Sequence, residues 1–187
     1  MEAVVRINVD ADTEAKTESP ADIHFLESIY REYYKNVYNY IAYRINNHFD
    51  AEELACSVFE KAMGNLKRYN PAFPPEAWLI GIAKNITTDY LRSKMRRSFV
   101  PIDNIINLVS TIKQPEEVVV INEENKALIT AMTKLKSQER QILSMKFATG
   151  LRHGEIAKIL NISDSNVGVI THRALKKLRK IMEEDSP

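Results

Sequence analysis

Apolar residues recur at three- to four-residue spacing through most of the chain after residue 25, and this periodicity limits the fold more than any other feature. Such spacing places apolar side chains on one face of a helix, and no useful β alternation appears after residue 10. The periodicity fails at 70–75, where prolines remove amide donors and restrict their predecessors, and again at 98–114. The pattern predicts an all-α chain: two small helical domains joined by a flexible linker.

These breaks divide the chain into four predicted segments. Residues 1–22 lack a helical period and are rich in acids, so we expect an acidic, mobile extension outside the fold. Residues 23–98 should form the first helical domain, 99–114 the linker and 115–187 the second helical domain.

Composition excludes several classes of protein. The 187 residues are 44% apolar and 27% charged, which is typical of a folded globular chain. The single cysteine, Cys56, excludes an intramolecular disulfide, and no Cys/His spacing predicts a metal site. The sequence contains no phosphate-binding loop and no nucleophile motif, so we expect neither an enzyme nor a bound cofactor. No apolar run approaches the ~20 residues of a membrane span, so we expect a cytoplasmic protein without membrane insertion.

The net charge of +1 conceals two separate basic segments. Two such patches suggest a long polyanion that is touched at two places. The basic residues are Lys84, Arg92, Lys94, Arg96 and Arg97, followed by Arg173, Lys176, Lys177, Arg179 and Lys180.

Residues 151–180 predict a helix-turn-helix in the second domain. A short apolar helix ends at Leu160, Asn161-Ile162 forms the turn, and Ser163 caps the second helix. In such a motif the start of the second helix enters the major groove, so small polar side chains are needed there and cations behind them. A plain helical hairpin with a solvated basic face is the alternative. The candidate DNA-binding residues are Ser163, Asp164, Ser165, Asn166, His172, Arg173, Lys176 and Lys177.

A second candidate site lies on the third predicted helix, after the proline-bounded loop. Trapping an unpaired base needs an amide or carboxylate to bind its edge and cations to follow the strand. Asn85 and the 70–76 loop are candidates for the pocket, whereas Trp78 lies on the apolar stripe and is interpreted as core. The cations also fit a solvated helix end. The candidate strand-binding residues are Asn85, Asp89, Arg92, Lys94, Arg96 and Arg97.

The second predicted helix begins with the acids Asp50, Glu52 and Glu53. Acids favour the positive end of a helix, and Asp50 with Glu53 forms a variant of the capping box. A partner surface rich in arginine would use the same charges, so both interpretations stay open.

In order and spacing, these motifs resemble the extracytoplasmic-function sigma factors of bacterial RNA polymerase. Residues 50–54 and 59–62 resemble the polymerase-binding helix of that family, and 77–85 with 89–92 resemble its promoter-melting helix. The resemblance covers about residues 23–182. It continues through 115–117, 135–139 and the helix-turn-helix that ends at 172–178.

The resemblance implies that Asp50, Glu52 and Glu53 bind the β′ clamp of core RNA polymerase, and that a flipped promoter base binds near Asn85. It implies that the second domain contacts the β flap and the upstream promoter element, and that an anti-sigma protein is a candidate partner. The family usually has a basic residue and then a small polar one where this chain has Gly168, Val169 and Ile170, so those base contacts do not carry over.

One further departure from the family pattern and one alternative function bear on this interpretation. Residues 55–57, Ala-Cys-Ser, replace a more usual hydrophobic-Gln-Glu run, which weakens any assignment of polymerase contacts there. A dimeric helix-turn-helix regulator without sigma activity is the alternative function. Such a regulator would leave the acidic helix and the proline-bounded loop without an obvious role.

Overall fold

The structure is a computed structural model that describes residues 20–98 and 123–184, and within those ranges it contains helices and no strand. The prediction of an all-α fold is confirmed. The predicted extension ends earlier than expected, because residues 20–22 belong to the first helix. Residues 1–19, the predicted linker and residues 115–122 lie outside the described ranges. The elements are α1 (Pro20–Ile45), α2 (His48–Gly64), a 3-10 turn (Leu66–Arg68), α3 (Pro75–Ser98), α4 (Glu123–Thr133), α5 (Ser137–Ala148), α6 (His153–Leu160) and α7 (Asp164–Glu184).

The first domain is a bundle in which α1, α2 and α3 all pack against one another. Asn46, with a φ of 52°, takes the left-handed conformation that ends α1. The side chain of Asn47 then caps α2 by accepting a hydrogen bond from the Asp50 amide. The prediction that Asp50 caps this helix is therefore wrong. Helix α2 begins at His48, so Asp50 lies within its first turn and not at the cap position, and its carboxylate accepts from the hydroxyl of Tyr90 on α3 instead.

An aromatic cluster supports the loop between α2 and α3. The ring of Tyr69 stacks on Phe25 at a centroid distance of 5.5 Å and lies 4.9 Å from Trp78. The Tyr69 hydroxyl donates to the carbonyl of Phe73, which holds the loop in place. Trp78 packs against the core, in agreement with its position on the apolar stripe.

The second domain contains α4, α5 and the helix-turn-helix formed by α6 and α7. Ser137 is the first helical residue of α5. The carboxylate of Glu139 reaches back to accept from the Lys136 amide at 3.0 Å, which satisfies the start of the helix. The turn after α6 forms as predicted: Asn161 is left-handed with a φ of 54°, and the amide of Ile162 donates to the carbonyl of Ala157.

The two domains pack directly against each other. Helix α5 lies along α1, α4 also touches α1, and α6 lies against α3. Buried apolar residues from both domains, including Ile41 of α1 and Met145 of α5, belong to one continuous core. We call the contact of α4, α5 and α6 with α1 and α3 the interdomain seam. The sequence predicted two domains, but the periodicity of each helix gives no sign that they share a core.

Candidate functional site

The outer face of α2 presents a regular stripe of exposed side chains. Phe49, Glu53, Cys56, Glu60 and Met63 are all exposed, and they follow one another at intervals of four, three, four and three residues. The two ends are apolar, since Phe49 is 47% exposed and Met63 is 48% exposed. An alternation of four and three residues is the spacing with which one helix meets another in a coiled coil. We call these five residues the α2 stripe.

The three acids predicted at the start of α2 do not share one environment. Glu53 is exposed on the α2 stripe. The carboxylate of Glu52 lies 3.5 Å from His48 Nε2, and Asp50 accepts a hydrogen bond from the hydroxyl of Tyr90 on α3. Glu53 therefore projects into solvent, whereas Asp50 and Glu52 hold the start of α2 in place.

The imidazole of His48 is itself held from α1. Burial, followed by the negative charge of Glu52, raises the pKa of Tyr38 to about 12, so its hydroxyl stays protonated near neutral pH. This hydroxyl is hydrogen-bonded to His48 Nδ1. The chain of Tyr38, His48 and Glu52 fixes the first turn of α2 against α1.

Three of the predicted strand-binding residues converge on one depression. Asn85, Asp89 and Arg92 line a shallow hollow of about 310 Å³, which is open to solvent. The other lining residues are Lys61, Lys84 and Thr88, so α2 closes one side of the hollow, whereas the 70–76 loop is not part of the lining. An amide, a carboxylate and cations around one hollow match the chemistry that an unpaired base and its phosphates require.

The remaining predicted cations of α3 lie beyond the depression. Lys94 Nζ is 3.2 Å from the hydroxyl of Tyr90 and 5.5 Å from the centroid of its ring. Arg96 is exposed, and the side chain of Arg97 lies outside the described part of the chain. Tyr90 therefore links Lys94, a predicted strand contact, to Asp50, a predicted polymerase contact.

The start of α7 has the form expected of a recognition helix. The hydroxyl of Ser163 accepts from the Asn166 amide at 3.2 Å, which confirms the predicted cap. Ser163, Asp164, Ser165 and Asn166 are all exposed. The exposed face continues at helical spacing through Val169, His172 and Lys176.

The three residues that depart from the family pattern differ in burial. Ile170 is buried, and Gly168 packs near the ring of His153 at the start of α6. Val169 is 63% exposed on the same face as Ser165 and His172. Among these three, only Val169 is therefore exposed to solvent on this face of α7.

The sequence did not reveal the role of Glu139, which anchors two predicted DNA contacts. Its carboxylate lies 3.5 Å from Arg173 and 3.5 Å from Lys177, and its side chain is 5% exposed. Burial alone raises the pKa of Glu139, but the Lys136 amide, Lys177 and Arg173 together outweigh burial and lower that pKa. Glu139 therefore stays charged and fixes one side of α7 to α5. A glutamate two residues into a helix is typical of a capping box, so no sequence signal indicates that Glu139 also pairs with Arg173 and Lys177.

Two other kinds of feature, a membrane-spanning helix and a metal site, are absent from the described residues. Within 20–98 and 123–184, no helix is long and apolar enough to cross a membrane. The same ranges contain no cluster of His, Cys, Asp and Glu side chains that could hold a metal ion.

Two family models match the chain in the order of its domains. The model described as Sigma-70 region 2 matches residues 29–97, and the model described as Sigma-70, region 4 matches residues 125–178. The first match contains the α2 stripe and the depression, and the second contains the helix-turn-helix.

Similar proteins include RNA polymerase sigma factor YlaC of Bacillus subtilis, which is 30% identical over 158 residues that cover 84% of this chain and 91% of YlaC. The ECF RNA polymerase sigma factor BldN of Streptomyces coelicolor is 26% identical over 159 residues. That match covers 84% of this chain, which spans 60% of the length of BldN.

Solved structures share the fold at lower identity. The sigma factor RpoE of Bartonella quintana, in complex with the anti-sigma factor NepR, is 18% identical with a TM-score of 0.67 and covers 87% of this chain and 99% of its own. CnrH, in complex with the cytosolic domain of CnrY, is 18% identical with a TM-score of 0.60, covering 88% and 91%. Two family models in chain order and a relative matched over nearly its whole length show that this chain belongs to the extracytoplasmic-function RNA polymerase sigma factors, which are transcription initiation factors.

Proposed function

We propose that this sigma factor binds core RNA polymerase through the α2 stripe, traps a melted promoter base in the depression beside Asn85 and reads the upstream promoter element with α7. It acts without catalysis of its own, because nucleotide polymerisation belongs to the polymerase. Its place of action is then the cytoplasm, where it meets that enzyme. The observation that carries the proposal is the presence of three distinct surfaces on a chain whose two domains both match sigma family models.

The α2 stripe suits a coiled-coil partner. Its 4-3-4-3 spacing lets side chains interlock with a neighbouring helix, and apolar Phe49 and Met63 bracket the carboxylates of Glu53 and Glu60. Carboxylates between apolar ends favour a partner that offers arginines within an apolar seam. We assign this partner as the β′ clamp of the polymerase, with Asp50 and Glu52 fixing the start of the helix.

The depression suits a single strand rather than a duplex. A flipped base needs hydrogen-bonding groups for its edge, which Asn85 and Asp89 provide, and Lys61, Lys84 and Arg92 place positive charge around it. Lys94, Arg96 and Arg97 continue the positive charge toward the end of α3. A strand that leaves the hollow in this direction would meet successive cations.

We assign recognition of the upstream promoter element to the exposed face of α7. Ser165, Asn166 and His172 offer hydrogen-bonding groups to base edges, and Val169 offers a methyl-bearing surface suited to thymine. Arg173 and Lys177 are held by Glu139, while Lys176 is exposed beside them and can contact phosphate.

Further partners follow from the family. The β flap is the proposed polymerase contact of the second domain, and the linker would run toward the RNA exit path. Two solved relatives are each in complex with another protein, which is an anti-sigma factor in the case of RpoE. An anti-sigma protein is therefore a proposed partner of this chain as well.

The test is transcription by core polymerase reconstituted with the purified chain on a set of promoter fragments selected with the same holoenzyme. Glu53→Lys reverses a charge in the middle of the α2 stripe, and we expect it to weaken association with core polymerase at least tenfold, measured by fluorescence anisotropy. Glu27→Lys makes the same charge change at an exposed site of α1 and is the matched control.

Equal loss in both variants would contradict the assignment of the α2 stripe. Sequence-specific duplex binding with no polymerase association would instead favour the dimeric helix-turn-helix regulator.

A further inference from the structure

Val169 of α7 is an apolar side chain in polar surroundings. It is 63% exposed, and every other exposed residue within four positions of it on α7 is polar. These residues are Ser165, Asn166, His172 and Arg173. Protein partners usually bury clusters of apolar side chains, and Val169 is not part of such a cluster. Its surroundings favour a ligand that offers polar and apolar groups side by side, as the edge of a base pair does.

The buried face of α7 fixes the direction of Val169. Val167 is fully buried and Ile170 is 4% exposed, so a rotation of α7 about its axis would take both side chains out of the core. A valine in a helix takes essentially one rotamer, because its β-carbon is branched. The two methyl groups of Val169 are therefore held in one place before a ligand arrives, and ordering them costs little conformational entropy.

The beginning of α7 contains no cation. Neither lysine nor arginine occurs in the sequence between Lys158 and Arg173. Lys158 Nζ lies 5.7 Å from the centroid of the Phe73 ring, and Arg173 Nε is 3.5 Å from the buried carboxylate of Glu139. In the major groove, guanine is most often recognised by an arginine or lysine that donates to O6 and N7. The first two turns of α7 therefore lack the side chains that commonly select guanine.

Adenine and thymine match the beginning of α7 better. An asparagine can bind N6 and N7 of adenine, and an apolar side chain can pack on the C5 methyl group of thymine. Asn166 and Val169 are three residues apart, so they are neighbours on one face of the helix. The backbone amide of Asn166 donates to the Ser163 hydroxyl, and the side chain of Asn166 stays exposed. The two side chains together suit A·T base pairs.

Positive charge lies behind Val169 along the helix. Lys176 is exposed two turns further on, and the side chain of Arg173 is 63% exposed although it also reaches Glu139. Cations at this position can contact phosphates and place the beginning of the helix against base edges. The order of polar, apolar and basic side chains along α7 therefore favours duplex DNA as the ligand of Val169.

We propose that Val169 determines specificity for thymine in the upstream promoter element, by packing against the C5 methyl group of one thymine in the major groove. Uracil at that position lacks the methyl group. Cytosine also lacks it and presents an amino group for which valine offers no acceptor. The proposal rests on the proposed function, because it assumes that α7 reads duplex promoter DNA.

The test combines a change in the protein with a change in the DNA. Core polymerase reconstituted with the full-length chain is titrated against fluorescent duplexes that carry only the upstream element, selected with the same holoenzyme. Each thymine of the element is replaced by uracil, one at a time, and fluorescence anisotropy measures the affinity. We expect one replacement to weaken binding about fourfold, which corresponds to about 0.8 kcal/mol for one buried methyl group.

Val169→Ala removes the methyl groups on the protein side. We expect this variant to bind the thymine duplex about fourfold more weakly and to prefer thymine over uracil by less than about twofold. Ile23→Ala shortens an aliphatic side chain that is 47% exposed on α1, and this matched control should keep the full preference. Circular dichroism confirms that both variants keep their helices.

Three outcomes would overturn the proposal and leave the proposed function standing. An unchanged preference in Val169→Ala would assign the methyl contact to another residue. Weaker association of Val169→Ala with core polymerase in the absence of DNA would make Val169 a protein contact. If replaced base pairs weaken binding but no uracil does, α7 reads the element without a methyl contact. If replaced base pairs also have no effect, the assignment of the upstream element to α7 is itself wrong.

Discussion

The two helices that carry the cation clusters, α3 and α7, hold their charges differently. Along α3, Arg92 pairs with Asp89 of its own helix at 3.8 Å, and the two side chains are 71% and 75% exposed. Along α7, Arg173 and Lys177 both reach Glu139 of a neighbouring helix, whose carboxylate is buried. An exposed pair within one helix constrains its arginine little, whereas a buried carboxylate fixes the helix beside it. The first arrangement suits a flexible single strand, and the second suits a rigid duplex that must be read in one register.

Replacing Glu139 tests the α7 side of this comparison and should have the largest effect on stability. Glu139→Ala leaves the Lys136 amide without its acceptor and two cations without their common partner, so we expect the free energy of unfolding to fall by about 2 to 3 kcal/mol. The value is at the low end for a buried pair because Arg173 and Lys177 remain partly solvated. Urea denaturation followed by circular dichroism measures it. Glu27→Ala, at an exposed site, should change stability by less than about 0.5 kcal/mol.

Asn85→Ala tests the α3 side of the comparison. Loss of the amide should reduce open promoter complexes by up to about tenfold, because one hydrogen bond to the captured base contributes about 0.5–1.5 kcal/mol, while duplex binding changes little. Permanganate reactivity of unpaired thymines measures opening, and a mobility shift measures duplex binding. Arg173→Ala should instead weaken duplex binding across all sequences, and an equal effect of both variants on both steps would contradict this division.

Two adjacent lysines sharpen the comparison within α7. Lys176 is exposed, whereas Lys177 is tied to Glu139. Each phosphate contact contributes about 0.9 to the slope of log affinity against log salt concentration, so Lys176→Ala should reduce the slope by nearly that amount. Lys177→Ala should reduce it less. Binding titrations of duplex promoter DNA between low and moderate salt measure both slopes. A larger reduction for Lys177→Ala than for Lys176→Ala would show that Glu139 leaves Lys177 free to contact phosphate.

Acidification should weaken the anchoring of α7 to α5. The pKa of Glu139 is lowered on folding, so its contribution to stability is fully present above the ordinary value of 4.5 and is lost as the pH falls through the lowered pKa. The difference in unfolding free energy between the unmodified chain and Glu139→Gln should therefore shrink below that value. Urea denaturation at several acidic pH values tests this, and a constant difference would contradict it.

The smallest expected effect concerns the link between α2 and α3. Tyr90→Phe removes the hydroxyl that donates to Asp50 and interacts with Lys94. Since the site is partly exposed, we expect the unfolding free energy to fall by about 0.5 to 1 kcal/mol. Thermal denaturation measures the change, and a loss as large as that of Glu139→Ala would show that α3 depends on a buried anchor as α7 does.

The sequence allowed prediction of those features that depend on local rules. Periodicity located the helices, Asn161 and Ser163 marked the turn of the helix-turn-helix, and Pro75 marked the start of α3. Partners distant in sequence were not predicted, because Tyr90 lies 40 residues from Asp50 and Lys177 lies 38 residues from Glu139. The exposed residues of the α2 stripe also become recognisable only when the buried face of α2 is known.

The shared core of the seam has a consequence for temperature. Apolar contacts between α1 and α5 weaken on cooling, because burial of apolar surface carries a large heat-capacity change. Arg44 of α1 is 3% exposed and donates to the Ser137 carbonyl of α5, and the hydration of its charge becomes more favourable in the cold, which acts in the same direction. The packing of the second domain on the first should therefore be weaker in the cold than at moderate temperature, even though the helices of each domain keep their own contacts.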